Sequence, residues 1–218
     1  MIQVRSLGVV RGDVTVLAET SFEVPDGTVT ALVGPSGSGK STLVRCLAGL
    51  AAPTTGTVLV DGVDVARLGA AAQAAFRRDM LGLVFQDPEL LDELTAAENV
   101  ALPRLVAGAP RRTALEAARA ALAVVGCEHL AGLRPGTFSR GEAQRVALAR
   151  ALATPGRSVV ADEPTASLDR TNGRLVVDLL VRHAREHGAA TLVATHDPEV
   201  VERCDAVVDL RAGAAVVG

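Results

Sequence analysis

The chain has 218 residues, a net charge of −3 and 49% apolar residues, enough for one α/β-sized domain with a substantial core. The acidic balance, with four Phe and no Trp or Tyr, argues against a nucleic-acid field or a base-stacking surface. Cys46, Cys127 and Cys204 are scattered without metal or disulfide spacing, no signal peptide opens the chain, and no apolar run approaches the ~18 residues of a membrane span, so a reducing compartment and no direct membrane insertion are expected.

In chain order, alternating or apolar runs at Ile2–Leu7, Val14–Val24, Thr28–Val33 and Thr57–Val60 predict strands, and Pro25-Asp26-Gly27 a turn. The third run leads into a glycine-rich loop, after which Lys40–Leu50 predicts a helix with Leu43, Leu47 and Leu50 on its apolar face. A further strand is expected at Leu81–Phe85. From Asp87 to Pro155 the pattern is mostly helical. Thr95 and Glu98 form a capping box before Val100–Val106, Pro110 precedes an Ala-rich helix over Arg111–Val125, and another helix follows Ser139 to Ala153. Strands at Ser158–Ala161, Ala190–Ala194 and Ala206–Leu210 then alternate with helices at Thr171–His187 and Pro198–Arg203. This order predicts one domain over 1–218, a parallel α/β core of 1–86 and 156–218 with a helical insertion over 87–155.

Lys40 is the single lysine among 22 Lys and Arg positions. It lies in Gly34-Pro35-Ser36-Gly37-Ser38-Gly39-Lys40-Ser41, which fits the phosphate-loop pattern G-x-x-x-x-G-K-[ST] in strand–loop–helix context. Its compact ammonium is the cation that fits here, because a guanidinium is bulkier and presents its charge differently. The loop glycines Gly34, Gly37 and Gly39 let backbone N–H groups face phosphates, with Ser36, Ser38 and Thr42 beside them. The helix start adds its positive dipole end, and the Ser41 hydroxyl is a Mg²⁺ ligand. A nucleoside triphosphate is the expected ligand.

Val159-Val160-Ala161-Asp162-Glu163 is an apolar strand ending in two acids, where ligands of parallel sheets bind. Asp162 is the expected metal residue, and Glu163 the group that polarises an attacking water. Ser139 with Glu142 reads as a capping box opening a helix.

The stretch Phe138-Ser139-Arg140-Gly141-Glu142-Ala143-Gln144-Arg145 resembles the signature motif of ATP-binding-cassette (ABC) proteins, commonly L-S-G-G-Q. It departs at Phe138, Arg140 and Glu142 and keeps Ser139 and Gly141. Gln86 after Val84-Phe85 resembles the family's Q-loop glutamine, Asp169 in Ala166-Ser167-Leu168-Asp169 its D-loop, and His196 in Ala194-Thr195-His196-Asp197 its switch histidine. Five motifs in family order span essentially the whole chain. The resemblance implies a P-loop NTPase fold with a RecA-like parallel sheet core, an antiparallel β subdomain and an inserted α-helical subdomain. It implies an ATPase using ATP and Mg²⁺, with Glu163, His196, Gln86 and Lys40 catalytic and Ser41, Gln86 and Asp162 around the metal. It also implies a homodimer closing head to tail, each nucleotide meeting Ser139, Gly141 and Asp169 of the opposite copy. The family's adenine-stacking aromatic is missing near Val10-Arg11-Gly12-Asp13. Either Arg11 stacks on the base or Val10 or Val16 holds it loosely, and weak base selectivity is expected.

Leu90 to Pro103 resembles the lipoprotein-release, macrolide-export and cell-division subfamily. That likeness implies a subunit on the cytoplasmic face of the inner membrane, peripheral through a separate transmembrane permease. Leu90, Leu91 and Leu94 are either a socket for that partner or core of their own subdomain. The alternative is a soluble ATP-driven regulatory or assembly protein that moves no solute.

Overall fold

A computed structural model describes residues 1–154, 158–211 and 214–216. The expected boundary at 155/156 lies outside the described residues. Strands β1 (Ile2–Arg11), β2 (Val14–Val24), β4 (Thr55–Val60) and β5 (Val63–Asp64) form an antiparallel sheet ordered β2-β1-β4-β5. A second sheet runs β10-β9-β3-β8-β7-β6, from β3 (Val29–Val33), β6 (Leu81–Val84), β7 (Ser158–Asp162), β8 (Ala190–Ala194), β9 (Ala206–Asp209) and β10 (Ala214–Val216). Its strands are parallel except for β10.

The parallel strands are apolar on both sides because both sides are covered. With a side-chain period of two, Val159 and Ala161 join one core while Val160 joins the other. One core packs the sheet against the first helix, α1 (Lys40–Leu47), and the antiparallel sheet. The other packs it against α3 (Ala96–Val106), α4 (Arg111–Val124), α5 (Arg140–Leu152) and α6 (Arg170–His187). A short α7 (Pro198–Val201) follows β8.

The structure adds β5 and the antiparallel β10 to the expected strands, and it departs from expectation in two helices. Helix α1 stops at Leu47, and Gly49 adopts φ +63, so Leu50 leaves the predicted apolar face and is half exposed. A helix absent from the sequence reading, α2 (Ala70–Asp79), precedes β6. Only Phe76 of it is buried and Gly69 gives it no side-chain cap, so its ten residues carry neither an apolar stripe nor a start signal. Both predicted capping boxes are formed. The Thr95 and Ser139 hydroxyls accept from the Glu98 and Glu142 amides, and each glutamate accepts from the backbone of its cap.

Candidate nucleotide site

The loop from β3 turns through Gly37 (φ +83) and Gly39 (φ +95) into the start of α1. A Cβ on Gly39 would lie 2.6 Å from the Val16 carbonyl oxygen of β2, so this position takes glycine on conformation and on space. No side chain caps α1, and its first turn holds no acid, which leaves the first N–H groups and the dipole end for an anion. Lys40 Nζ donates to the Gly34 carbonyl at 2.8 Å and the Pro35 carbonyl at 3.4 Å, folded back over the loop. Together Ser36, Gly37, Gly39, Lys40, Ser41 and Thr42 line a cleft of about 270 Å³, closed by Val16 and Glu163.

Asp162 ends β7, half-buried. Burial raises its pKa, with the Glu163 charge adding to that, while a hydrogen bond from Ser41 and the charges of Arg45 and Lys40 oppose it. Its Oδ1 is buried without a hydrogen-bond partner, as is the Ser38 hydroxyl. Glu163 takes φ +48, a left-handed conformation a β-strand residue avoids. Its amide donates to the Ala194 carbonyl at 2.9 Å, and its Oε2 meets His196 Nδ1 at 2.9 Å. The His196 loop is braced from the sheet. The Thr195 amide donates to the Leu32 carbonyl, and the Thr195 hydroxyl accepts from the Asp197 amide, both at 3.0 Å. Two strands far apart in sequence thereby set an acid and an imidazole beside the glycine-rich loop.

The family model described as ABC transporter matches residues 17–166. The chain belongs to the ABC transporter family. It is 45% identical over 201 residues to the lipoprotein-releasing system ATP-binding protein LolD of Gluconobacter oxydans, covering 92% of this chain and 87% of the relative. It is 42% identical over 212 residues to LolD 1 of Rhodospirillum rubrum, covering 97% and 94%. Among solved structures it resembles a dimeric ATP-binding cassette in a post-hydrolysis state bound to ADP and Pi, with TM-score 0.89 and 31% identity over 99% of this chain and 96% of the other. As a cassette of this family it binds and hydrolyses ATP.

The remaining sequence-predicted residues of the cassette lie off this cleft. Gln86 is exposed two residues past β6. Arg11 is exposed at the β1–β2 hairpin, opposite Val14, and does not line the cleft, whereas Val16 does. The Ser139 hydroxyl caps α5. Gly141 is buried against Asn172, where an added Cβ would meet the side-chain amide at 2.8–3.1 Å. Asp169 caps α6, accepting from the Asn172 amide at 2.9 Å, and hydrogen bonds from the Asn172 backbone and side chain hold its pKa down.

Two contributors escaped the sequence reading. Asn172 links α5 to the Asp169 cap of α6, accepting from Arg145 Nη1 at 2.5 Å and donating from Nδ2 to Asp169 Oδ2 at 2.6 Å. Gln144 is buried and donates to the Phe85 carbonyl at 3.0 Å, next to Gln86. It stands on the face of Gly141, Leu148 and Ala151, and a polar residue on an otherwise apolar stripe was the available signal. Asn172 has no such signal, since its partners come from another helix.

Proposed function

We propose that this cassette is the ATP-hydrolysing subunit of a lipoprotein-releasing type of ABC transporter, acting as a homodimer beneath a separate transmembrane permease. The observation that carries the hydrolytic reading is Glu163, which lines the phosphate-loop cleft and is paired with His196 on the neighbouring face beside Gly34 and Pro35. ATP lays its phosphates against the backbone N–H groups of the loop and the start of α1. Lys40 exchanges the Gly34 and Pro35 carbonyls for the β- and γ-phosphates. Asp162, with a buried Oδ1 that has no partner and a carboxylate influenced by the Ser41 hydroxyl, fits a hard, oxygen-binding cation. Ser41, Asp162 and Gln86 are the residues that would hold Mg²⁺, which when bound draws charge from the phosphate oxygens. Glu163 orients water in line with the γ-phosphorus and takes up its proton, and His196 holds Glu163 in place. The base rests on the β2 side, where Val16 rather than Arg11 faces the cleft.

Ser139, Gly141 and Asp169 serve the opposite copy's nucleotide, a reading supported by the dimeric solved relative and by their place outside their own cleft. Residues 87–155 would move as the helical subdomain on closure. The permease seat is a groove of about 440 Å³ between α2, β6 and α3, lined by Ala71, Ala74, Leu83, Phe85, Leu102 and Pro103. Of the leucines, Leu90 packs into the helical core and Leu91 is 46% exposed beside it. Among the described residues no helix is long and apolar enough to cross a membrane, consistent with peripheral attachment at the cytoplasmic face through that partner.

The test is Glu163→Gln, purified and assayed with ATP and Mg²⁺. ATP affinity is expected within about twofold of wild type, turnover reduced ~10²–10³-fold, and a closed dimer accumulated on size exclusion. Near-normal hydrolysis by that variant removes Glu163 from its role.

A further inference from the structure

Arg150 is a cation bound by main-chain carbonyls. It lies near the end of α5, half-buried, and among the described residues no acid forms an ion pair with it. Burial lowers its pKa, and only the charge of Glu89 opposes that. Its guanidinium instead donates to two backbone carbonyls of one loop, Nη2 to Pro88 at 2.8 Å and Nη1 to Glu89 at 2.7 Å. The loop is shaped for this, because Glu89 takes φ +49, outside the regions that residues with a Cβ favour. A fork of five rigid donors suits two neighbouring carbonyls as a single ammonium does not. Six residues earlier on α5, Gln144 donates to the Phe85 carbonyl at 3.0 Å. Helix α5 therefore grips the chain on both sides of Gln86, at Phe85 and at Pro88-Glu89, and leaves Gln86 itself exposed, with no side-chain hydrogen bond among the described residues.

We propose that Arg150, assisted by Gln144, is a positioning residue for hydrolysis: it fastens the Gln86 loop to the helix that begins at Ser139. Movement of α5 and placement of Gln86 then become one event. A separation of α5 from the loop would break charge-assisted hydrogen bonds at one end and the hydrogen bond from the Gln144 amide to the Phe85 carbonyl at the other. The loop's side wall faces the groove lined by Glu89 and Arg150, so whatever fills that groove bears on the same clamp. This rests on the reading of Gln86 given above.

The experiment compares steady-state ATP hydrolysis and fluorescent-nucleotide binding for wild type, Gln86→Ala, Arg150→Met, Arg150→Lys and the double variant Gln86→Ala/Arg150→Met. Gln86→Ala and Arg150→Met are each expected to lower kcat about tenfold, and Arg150→Met to leave KM and nucleotide affinity within about twofold, because Arg150 lies away from the cleft. Arg150→Lys, which keeps charge but not the fork, falls between. The double variant is expected to be no slower than Gln86→Ala alone, since Arg150 acts through Gln86. Wild-type kcat in Arg150→Met overturns the proposal, as do penalties that multiply in the double variant, or a KM raised in step with the fall in kcat. A wild-type kcat in Gln86→Ala instead removes the underlying reading of Gln86, and the proposal falls with it. Loss of thermal transition in Arg150→Met with full recovery in Arg150→Lys at equal kcat assigns Arg150 to folding alone and also overturns it.

Discussion

Gly141 and Asn172 make an energetic prediction that changes sign with background. Alanine at 141 places a Cβ 2.8 Å from Asn172 Cγ and 2.9 Å from its Oδ1. The amide cannot swing aside freely, because Arg145 holds Oδ1 at 2.5 Å and Asp169 holds Nδ2 at 2.6 Å. Turning it away forfeits the part-buried bond from Arg145, about 1.5–3 kcal/mol for a hydrogen bond to a charged group, together with the exposed one to Asp169. It also leaves the Arg145 guanidinium, whose Nε is already buried without a partner, less satisfied. Against this, Ala in place of Gly within a helix gains up to ~1 kcal/mol. Gly141→Ala should thus cost about 2 kcal/mol. In an Asn172→Ala background the obstruction is gone and only the propensity gain remains, so the same change should be neutral or stabilise by about 0.5 kcal/mol. Urea unfolding of wild type, both single variants and the double variant reads this as a coupling of roughly 2–3 kcal/mol. Equal costs for Gly141→Ala in the two backgrounds would refute the account of Gly141 as a close-approach position. The same cycle run on ATP hydrolysis asks whether the α5–α6 contact serves turnover as well as stability.

At Gly39, alanine meets both a left-handed backbone and the Val16 carbonyl of β2, which has no rotamer to change. Gly39→Ala is expected to lose about 2–4 kcal/mol of stability and to weaken nucleotide binding at least ~10-fold; chemical denaturation with wild-type stability contradicts it. His183 on α6 stacks on His187 with ring centroids 4.5 Å apart, and burial first, then the His187 charge, pull its pKa down to about 4 from 6.5. Because the folded pKa lies below the unfolded one, the unfolded chain takes the proton first. This contribution is whole above pH 6.5 and is lost as the pH falls towards 4. The full gap corresponds to ~3 kcal/mol, reduced to about 1–2 by partial solvent screening. Arg182, Glu186 and His187 share its surroundings, so His183→Gln should flatten the stability profile between pH 6.5 and 4, and an unchanged slope would assign the loss to other groups.

Local chemistry made much of the cassette legible from its residues alone. The phosphate loop is read from glycine spacing because backbone geometry at Gly37 and Gly39 leaves few alternatives to glycine. The capping boxes at Thr95 and Ser139 are read from a hydroxyl and a glutamate three residues apart, since both partners lie within one helical turn. Strands β3, β7 and β8 are read from short apolar runs because a parallel sheet covered on both faces needs them. Helix α2 failed that test, its ten residues burying only Phe76 and held by neighbours rather than by a pattern of their own. Leu50 failed because Gly49, one residue earlier, ended the helix.

What the tertiary structure alone decided lies between elements. It brought Glu163 to His196 across 33 residues, turned Glu163 left-handed and stranded a buried oxygen of Asp162. It set Asn172 against Gly141 and carried Gln144 and Arg150 of α5 to both sides of Gln86. Each of these joins groups on different strands or helices, and residue spacing along a chain has no term for such a distance. Which residues meet is settled only when the sheet order β9-β3-β8-β7-β6 and the helices packed on it bring separate segments together.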